Sequence, residues 1–136
     1  MIYYRSALEG LTPAQLKGFF VGWPNPPSPE THLKLLQNSD EVVLAMDDQT
    51  NRVVGFITAI TDKVLSAFIP YLEVLPEYQK QGVGSELVRI MLERLQPYYS
   101  VDLICDPEMK RFYESHGMIS VTGMAARRYN RQSGAE

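Results

Sequence analysis

The run from Pro76 to Gly84, Pro-Glu-Tyr-Gln-Lys-Gln-Gly-Val-Gly, constrains this chain more than any other stretch. A β-rich segment ends at Leu75 and a strongly amphipathic pattern starts at Gly82, so a strand, a glycine turn and a helix start follow one another directly. Glycine lets a backbone turn sharply and come close to a ligand. The first N–H groups of a helix have no internal partner, and the helix dipole favours negative charge beside them. A diphosphate suits such a place.

Two familiar diphosphate motifs do not fit the residues. A Walker-type loop needs Gly-Lys-Ser/Thr entering the helix, and here Ser85 follows Gly84 with no lysine between. A dinucleotide fingerprint needs a third small residue and an acidic residue closing the next strand. Leu87 stands where the small residue belongs, and Asp102 falls at the start of the next strand.

The 136 residues make one domain, expected over 1–131, with 132–136 as a disordered tail. A net charge of −3 argues against a nucleic-acid binder, which needs a basic footprint. The single cysteine, Cys105, excludes an intrachain disulfide framework and a cysteine-cluster metal site, and it reads as a small buried hydrophobe. His32 and His116 have no metal-ligand spacing and read as helix-surface or helix-end residues; no metal is expected. There is no apolar run of membrane-spanning length and no secretory h-region after Met1, so the expectation is a cytoplasmic protein.

Along the chain, Ile2–Arg5 reads as a strand, and Thr12-Pro13 opens a helix carrying Leu16, Phe19 and Phe20. The proline-rich turn after Gly22 is followed by a second helix from Ser28-Pro29. Strands follow at Glu41–Met46, Arg52–Thr61 and Val64–Leu75, the last expected to be irregular near Pro70. A helix over 82–96 buries Val83, Leu87, Val88 and Met91 and is stopped by Pro97. Val101–Cys105 is a strand and 107–116 a short helix that Asp106 caps. Residues 118–129 read as two closing strands. The class is α/β (α+β), in the order β-α-α-β-β-β-α-β-α-β-β.

This order and the spacing Gln79-x-x-Gly82-x-Gly84 resemble the GNAT superfamily of acyl-CoA-dependent N-acetyltransferases, whose Q/R-x-x-G-x-G/A motif they match. A second match lies at Phe112-Tyr113-Glu114-Ser115-His116-Gly117-Met118, similar to the family's F-Y-E-x-x-G-F segment. The likeness covers nearly the whole chain, with one departure: Asp106 stands where members often carry Asn.

The resemblance implies a central, mostly antiparallel mixed sheet, acetyl-CoA as cosubstrate and a primary amine as acceptor. It implies that Leu72 and Val74 lend backbone groups to the pantetheine arm and the acyl carbonyl. The pyrophosphate would lie on the turn Gln79, Lys80, Gln81, Gly82, Val83, Gly84 and Ser85. Tyr113 would face the departing sulfur; a phenol of pKa about 10 against a thiol of about 8.5 is a mismatch of only ~2 kcal/mol. Glu73 would take the amine proton through water. The acceptor wall would be Phe20, Trp23 and Tyr71, apolar and stiffened by prolines, which suits a small or aromatic amine better than a polyanion.

Each residue also has a plain structural reading. Tyr113 shares a helical face with Met109, Phe112 and His116, Glu73 can be a solvent-facing strand residue, and Arg127-Arg128 a solvated pair. Two other functions stay open: an acyl-CoA-binding sensor without turnover, and an acetyltransferase acting on protein N-termini or lysines. A homodimer built on residues 118–129 or the adjacent helix face is expected, because a closing strand leaves an edge to be covered.

Overall fold

The computed structural model describes residues 1–135; the expected tail extends to residue 136, which lies outside them. The strands are β1 (Ile2–Arg5), β2 (Glu41–Asp47), β3 (Arg52–Thr61), β4 (Ser66–Phe68), β5 (Leu72–Val74) and β6 (Ser100–Asp102). The α-helices are α1 (Pro29–Gln37), α2 (Val83–Arg94) and α3 (Lys110–Glu114). They build one mixed sheet in the order β1-β2-β3-β4-β6, with β5 also paired to β3. Every pairing is antiparallel except β4 with β6.

β2 and β3 are apolar almost without alternation because the sheet is covered on both faces. On one face α2 lays down Val83, Leu87, Val88 and Met91, each burial contributing about 1.5–3 kcal/mol. The helix lies close because β3 offers Gly55: a Cβ there would meet Leu87 at 3.1 Å and Val83 at 3.3 Å. On the other face Leu16, Phe19, Phe20, His32 and Leu36 close the core. Ser28 caps α1 by accepting the Thr31 N–H at 3.1 Å.

The fold class is as expected, with local differences. The helix foreseen after Thr12-Pro13 is only a 3-10 turn, Pro13–Leu16, followed at once by Gly18 at φ 96°. The third strand is two strands, because Pro70 has no N–H to give and the chain between β4 and β5 leaves the ladder. The helix after the glycines is three residues shorter than foreseen, and Pro107–Met109 is a 3-10 turn leading into α3. The two closing strands are absent among the described residues: 118–128 carries no strand and no strand partner, and 119–128 is exposed. The last residues are not loose where described, since Tyr129–Arg131 is a 3-10 turn and the Gln132 side chain accepts the Asn25 N–H at 3.0 Å.

His32 is the clearest misreading from sequence. It is 1% exposed, not a surface residue, and neither ring nitrogen has a hydrogen-bond partner among the described residues. Phe56, Phe20 and Phe19 surround it at centroid distances of 4.4, 4.9 and 5.3 Å. Burial lowers its pKa to about 4, so it is a neutral ring within an aromatic cluster.

Candidate active site

The sheet opens where Pro70 interrupts it. Ile69 still bonds β6, its N–H donating to the Asp102 carbonyl at 2.9 Å, whereas Tyr71 has turned to β3, its carbonyl accepting the Thr58 N–H at 3.1 Å. Beyond this point β5 and the segment 103–106 diverge, and a cleft of about 900 Å³ fills the wedge.

The ladder register decides which backbone groups face that cleft. Thr58–Tyr71 and Val54–Leu75 are hydrogen-bonded pairs, so in an antiparallel ladder Glu73 also turns its N–H and C=O toward β3. Leu72 and Val74 fall at the alternate positions and turn theirs away from β3, toward the wedge. The Val74 carbonyl is held there by the Gln79 side-chain amide at 3.0 Å, leaving its N–H aimed into the cleft.

The glycine turn closes the cleft at one end. Lys80 (φ 61°) and Gly82 (φ 84°) are both left-handed, and α2 begins at Val83 with no side-chain cap. Backbone that reverses hand in this way gathers N–H groups into an anion-binding concavity. No backbone N–H from Lys80 to Ser85 donates to an acceptor among the described residues. Below the turn, the Tyr78 hydroxyl donates to Asp47 at 2.6 Å and pins the preceding 3-10 turn to the end of β2.

The other end is aromatic. Phe20, Trp23 and Tyr71 pack together, with Phe20–Trp23 at 4.8 Å and Phe20–Tyr71 at 6.4 Å between centroids. Beside them Glu73 accepts the N–H of Phe20 at 2.8 Å on one carboxylate oxygen and that of Val21 at 3.2 Å on the other. Burial raises the Glu73 pKa, and the two N–H bonds oppose it only in part. Glu73 is therefore no solvent-facing strand residue: it holds the loop that forms the wall.

Tyr113 lines the same cleft from α3 and is half-buried. Its hydroxyl has no hydrogen-bond partner among the described residues, and burial, then the Cys105 charge, pushes its pKa up to about 12. The mismatch with a thiol is thus larger than the sequence implied, and the Tyr113 phenol keeps its proton at any ordinary pH.

The cleft so gathers every residue nominated from sequence except Gln81, whose side chain donates to the Glu77 carbonyl at 3.3 Å outside it. Among the described residues no cluster of three or more His, Cys, Asp or Glu could hold a metal, and no helix is long and apolar enough to cross a membrane.

The sequence model of the acetyltransferase (GNAT) family matches residues 8–118. The chain belongs to the GNAT acetyltransferase family. It is 30% identical over 120 residues to GCN5-related N-acetyltransferase 1, chloroplastic, of Arabidopsis thaliana, covering 85% of this chain and 60% of that protein. An uncharacterised N-acetyltransferase of Prochlorococcus marinus is 34% identical over 101 residues, covering 71% of this chain and 56% of its own length. The chain thus spans somewhat over half of these curated relatives. Among solved structures, a Deinococcus radiodurans R1 protein inferred to be an acetyltransferase superposes with a TM-score of 0.95 at 45% identity, covering 99% of this chain and 94% of that one. A GNAT family protein of Streptococcus pneumoniae gives 0.76 at 31% identity, over 94% and 98% of the two chains.

Sequence reasoning set aside four residues that this GNAT fold brings to the site. Cys105, Asp106 and Arg127 line the cleft. Asp106 does stand at the N-cap position of its turn, but its side chain makes no capping bond. His116 is not only a helix-end residue, since its Nε2 lies 3.0 Å from the Ser85 hydroxyl and ties α3 to the first turn of α2. These contacts join segments far apart in the chain, and no local pattern announces them.

Proposed function

We propose that this chain transfers an acetyl group from acetyl-CoA to a primary amine, by direct attack within a ternary complex. The observation that carries the reading is one continuous cleft with free amides at one end, an outward N–H at Val74 in the middle and an aromatic wall at the other. The free N–H groups of Lys80 to Ser85, left-handed at Lys80 and Gly82, match the acceptor oxygens of a pyrophosphate. Bound acetyl-CoA supplies an activated acetyl thioester.

The chain supplies the rest. Lys80 adds positive charge beside the phosphates, and Leu72 offers backbone groups to the amide-bearing arm. The Val74 N–H lies where it stabilises negative charge developing on the carbonyl oxygen. Tyr113 donates a hydrogen bond to the sulfur as it departs. Glu73, with its pKa raised by burial, takes the amine proton through water, each oxygen keeping a lone pair beyond its loop bond. The wall of Phe20, Trp23 and Tyr71 favours a small or aromatic amine, and the cytoplasm, with its acetyl-CoA, is the proposed setting.

Free-thiol release from acetyl-CoA, followed with and without a panel of amines, tests this. Release that depends on an arylalkylamine or small alkylamine, with N-acetylated product by mass spectrometry, supports it. Binding of acetyl-CoA with no amine-dependent release overturns it in favour of a sensor, and acetylation of peptides alone replaces the acceptor class.

A further inference from the structure

The charged residues lining the cleft are Glu73, Lys80, Asp106 and Arg127. Glu73 holds the N–H groups of Phe20 and Val21, and Lys80 belongs to the glycine turn. Asp106 opens the turn that leads into α3. Arg127 has no such duty. It forms no ion pair among the described residues, not even with Asp106 of the same cleft. A guanidinium keeps its charge at every working pH and offers a planar fork of donors. Unpaired in a ligand cleft, it lacks an anion that a ligand can supply.

The path of the chain puts Arg127 at the aromatic end of the cleft, away from the glycine turn. Before it, Gly123 lies against Ile104, whose side chain a Cβ there would meet at 3.3 Å. After it, the 3-10 turn Tyr129–Arg131 advances only about 2 Å per residue. Gln132 then accepts the Asn25 N–H at 3.0 Å, just past Trp23. The segment thus crosses the mouth of the cleft toward the Trp23 loop and carries Arg127 with it. Arg128 has extended backbone (φ −115°, ψ 95°), in which neighbouring side chains point to opposite sides. Accordingly Arg127 lines the cleft and Arg128 does not.

Resting on the proposed amine acetylation, we infer that the acceptor amine carries a carboxylate and that Arg127 is the residue that selects it. The guanidinium holds the carboxylate through paired N–H bonds while the apolar body of the amine lies on Phe20, Trp23 and Tyr71. A doubly charged phosphate fits less well. Glu73 and Asp106 already bring carboxylates to the cleft, and one arginine would leave a phosphate charge unmatched.

Trp23 is the only tryptophan of the chain, so its fluorescence reports on this wall. Titrations in the presence of CoA, which has no acetyl group to transfer, compare phenylalanine with phenethylamine and 4-(aminomethyl)benzoate with benzylamine. Each pair differs by one carboxylate. In at least one pair the carboxylate member is expected to bind about tenfold tighter or more, the scale of a hydrogen-bonded charge. Arg127→Gln is expected to abolish that advantage and to leave acetyl-CoA affinity as it is. No advantage in either pair overturns the inference, as does an advantage that survives in Arg127→Gln. A variant that loses acetyl-CoA affinity overturns it too and gives Arg127 to the cofactor phosphates. Thiol release from acetyl-CoA with the same amines reads the transfer separately: a carboxylate advantage in binding without any release contradicts the transferase and leaves the ligand class standing.

Discussion

The carboxylate of Glu73 accepts the backbone N–H of Phe20 at 2.8 Å, 53 positions away in sequence, and Phe20 sits there at φ 63°. A left-handed phenylalanine is costly, about 1–3 kcal/mol, and persists only where its surroundings fix it. Glu73 and the ring packing together do so, and the result is the aromatic wall of the cleft.

Glu73→Gln therefore has two expected effects. The amide keeps an acceptor for Phe20 but turns an NH2 toward the Val21 N–H, so the KM for amine rises several-fold while that for acetyl-CoA does not. Loss of the base lowers kcat about 10- to 100-fold. It also removes the limb on which the wild-type rate falls as pH drops through the raised Glu73 pKa. Steady-state kinetics across pH separates the roles: an unchanged kcat and profile with a raised KM would leave only the loop anchor.

Tyr113→Phe removes a hydroxyl that has no hydrogen-bond partner among the described residues, so stability and acetyl-CoA affinity are expected to stay as they are. Turnover is expected to fall about 10- to 100-fold. Pre-steady-state rates are the check, and an unchanged chemical step would make Tyr113 a packing residue beside Phe112, 4.9 Å away.

His32 makes stability depend on pH. Its pKa is about 4 in the fold against 6.5 unfolded, so between these values the unfolded chain binds the extra proton and stability rises with pH. The full contribution is present above 6.5 and is lost as pH falls toward 4, by up to about 3 kcal/mol. His32→Phe keeps a ring among Phe19, Phe20 and Phe56 and has no nitrogen to protonate. Denaturant titration from pH 7 to pH 4.5 is expected to show a flatter profile for the variant; parallel profiles would contradict the buried neutral ring.

What was legible in the sequence was local. The turn at 79–85 and α2 could be read because Gly82, Gly84 and the apolar spacing of Val83, Leu87, Val88 and Met91 lie within one element. Pro70 announced an irregularity, though not that it would divide the strand and open the cleft. Burial of His32 was hidden because the rings around it come from Phe19, Phe20 and Phe56, and no helix periodicity reports them. The closing strands are absent because alternation signals a strand but not a partner for it: 118–128 has none among the described residues.

Acetyl-CoA is expected to bind with its pyrophosphate on the amides of Lys80 to Ser85, and calorimetric titration of wild type and Gly84→Asp is the measurement that checks it. A Cβ at Gly84 would meet only the side chains of Val74 and Phe112, at 3.6 and 3.8 Å, which is ordinary contact, so the variant is expected to fold. Its carboxylate, however, would bring negative charge to the place of the phosphates. One-to-one binding to the wild type is expected, with an affinity at least about tenfold weaker in the folded variant, about 1.4 kcal/mol or more. Equal affinity in the two proteins would contradict it.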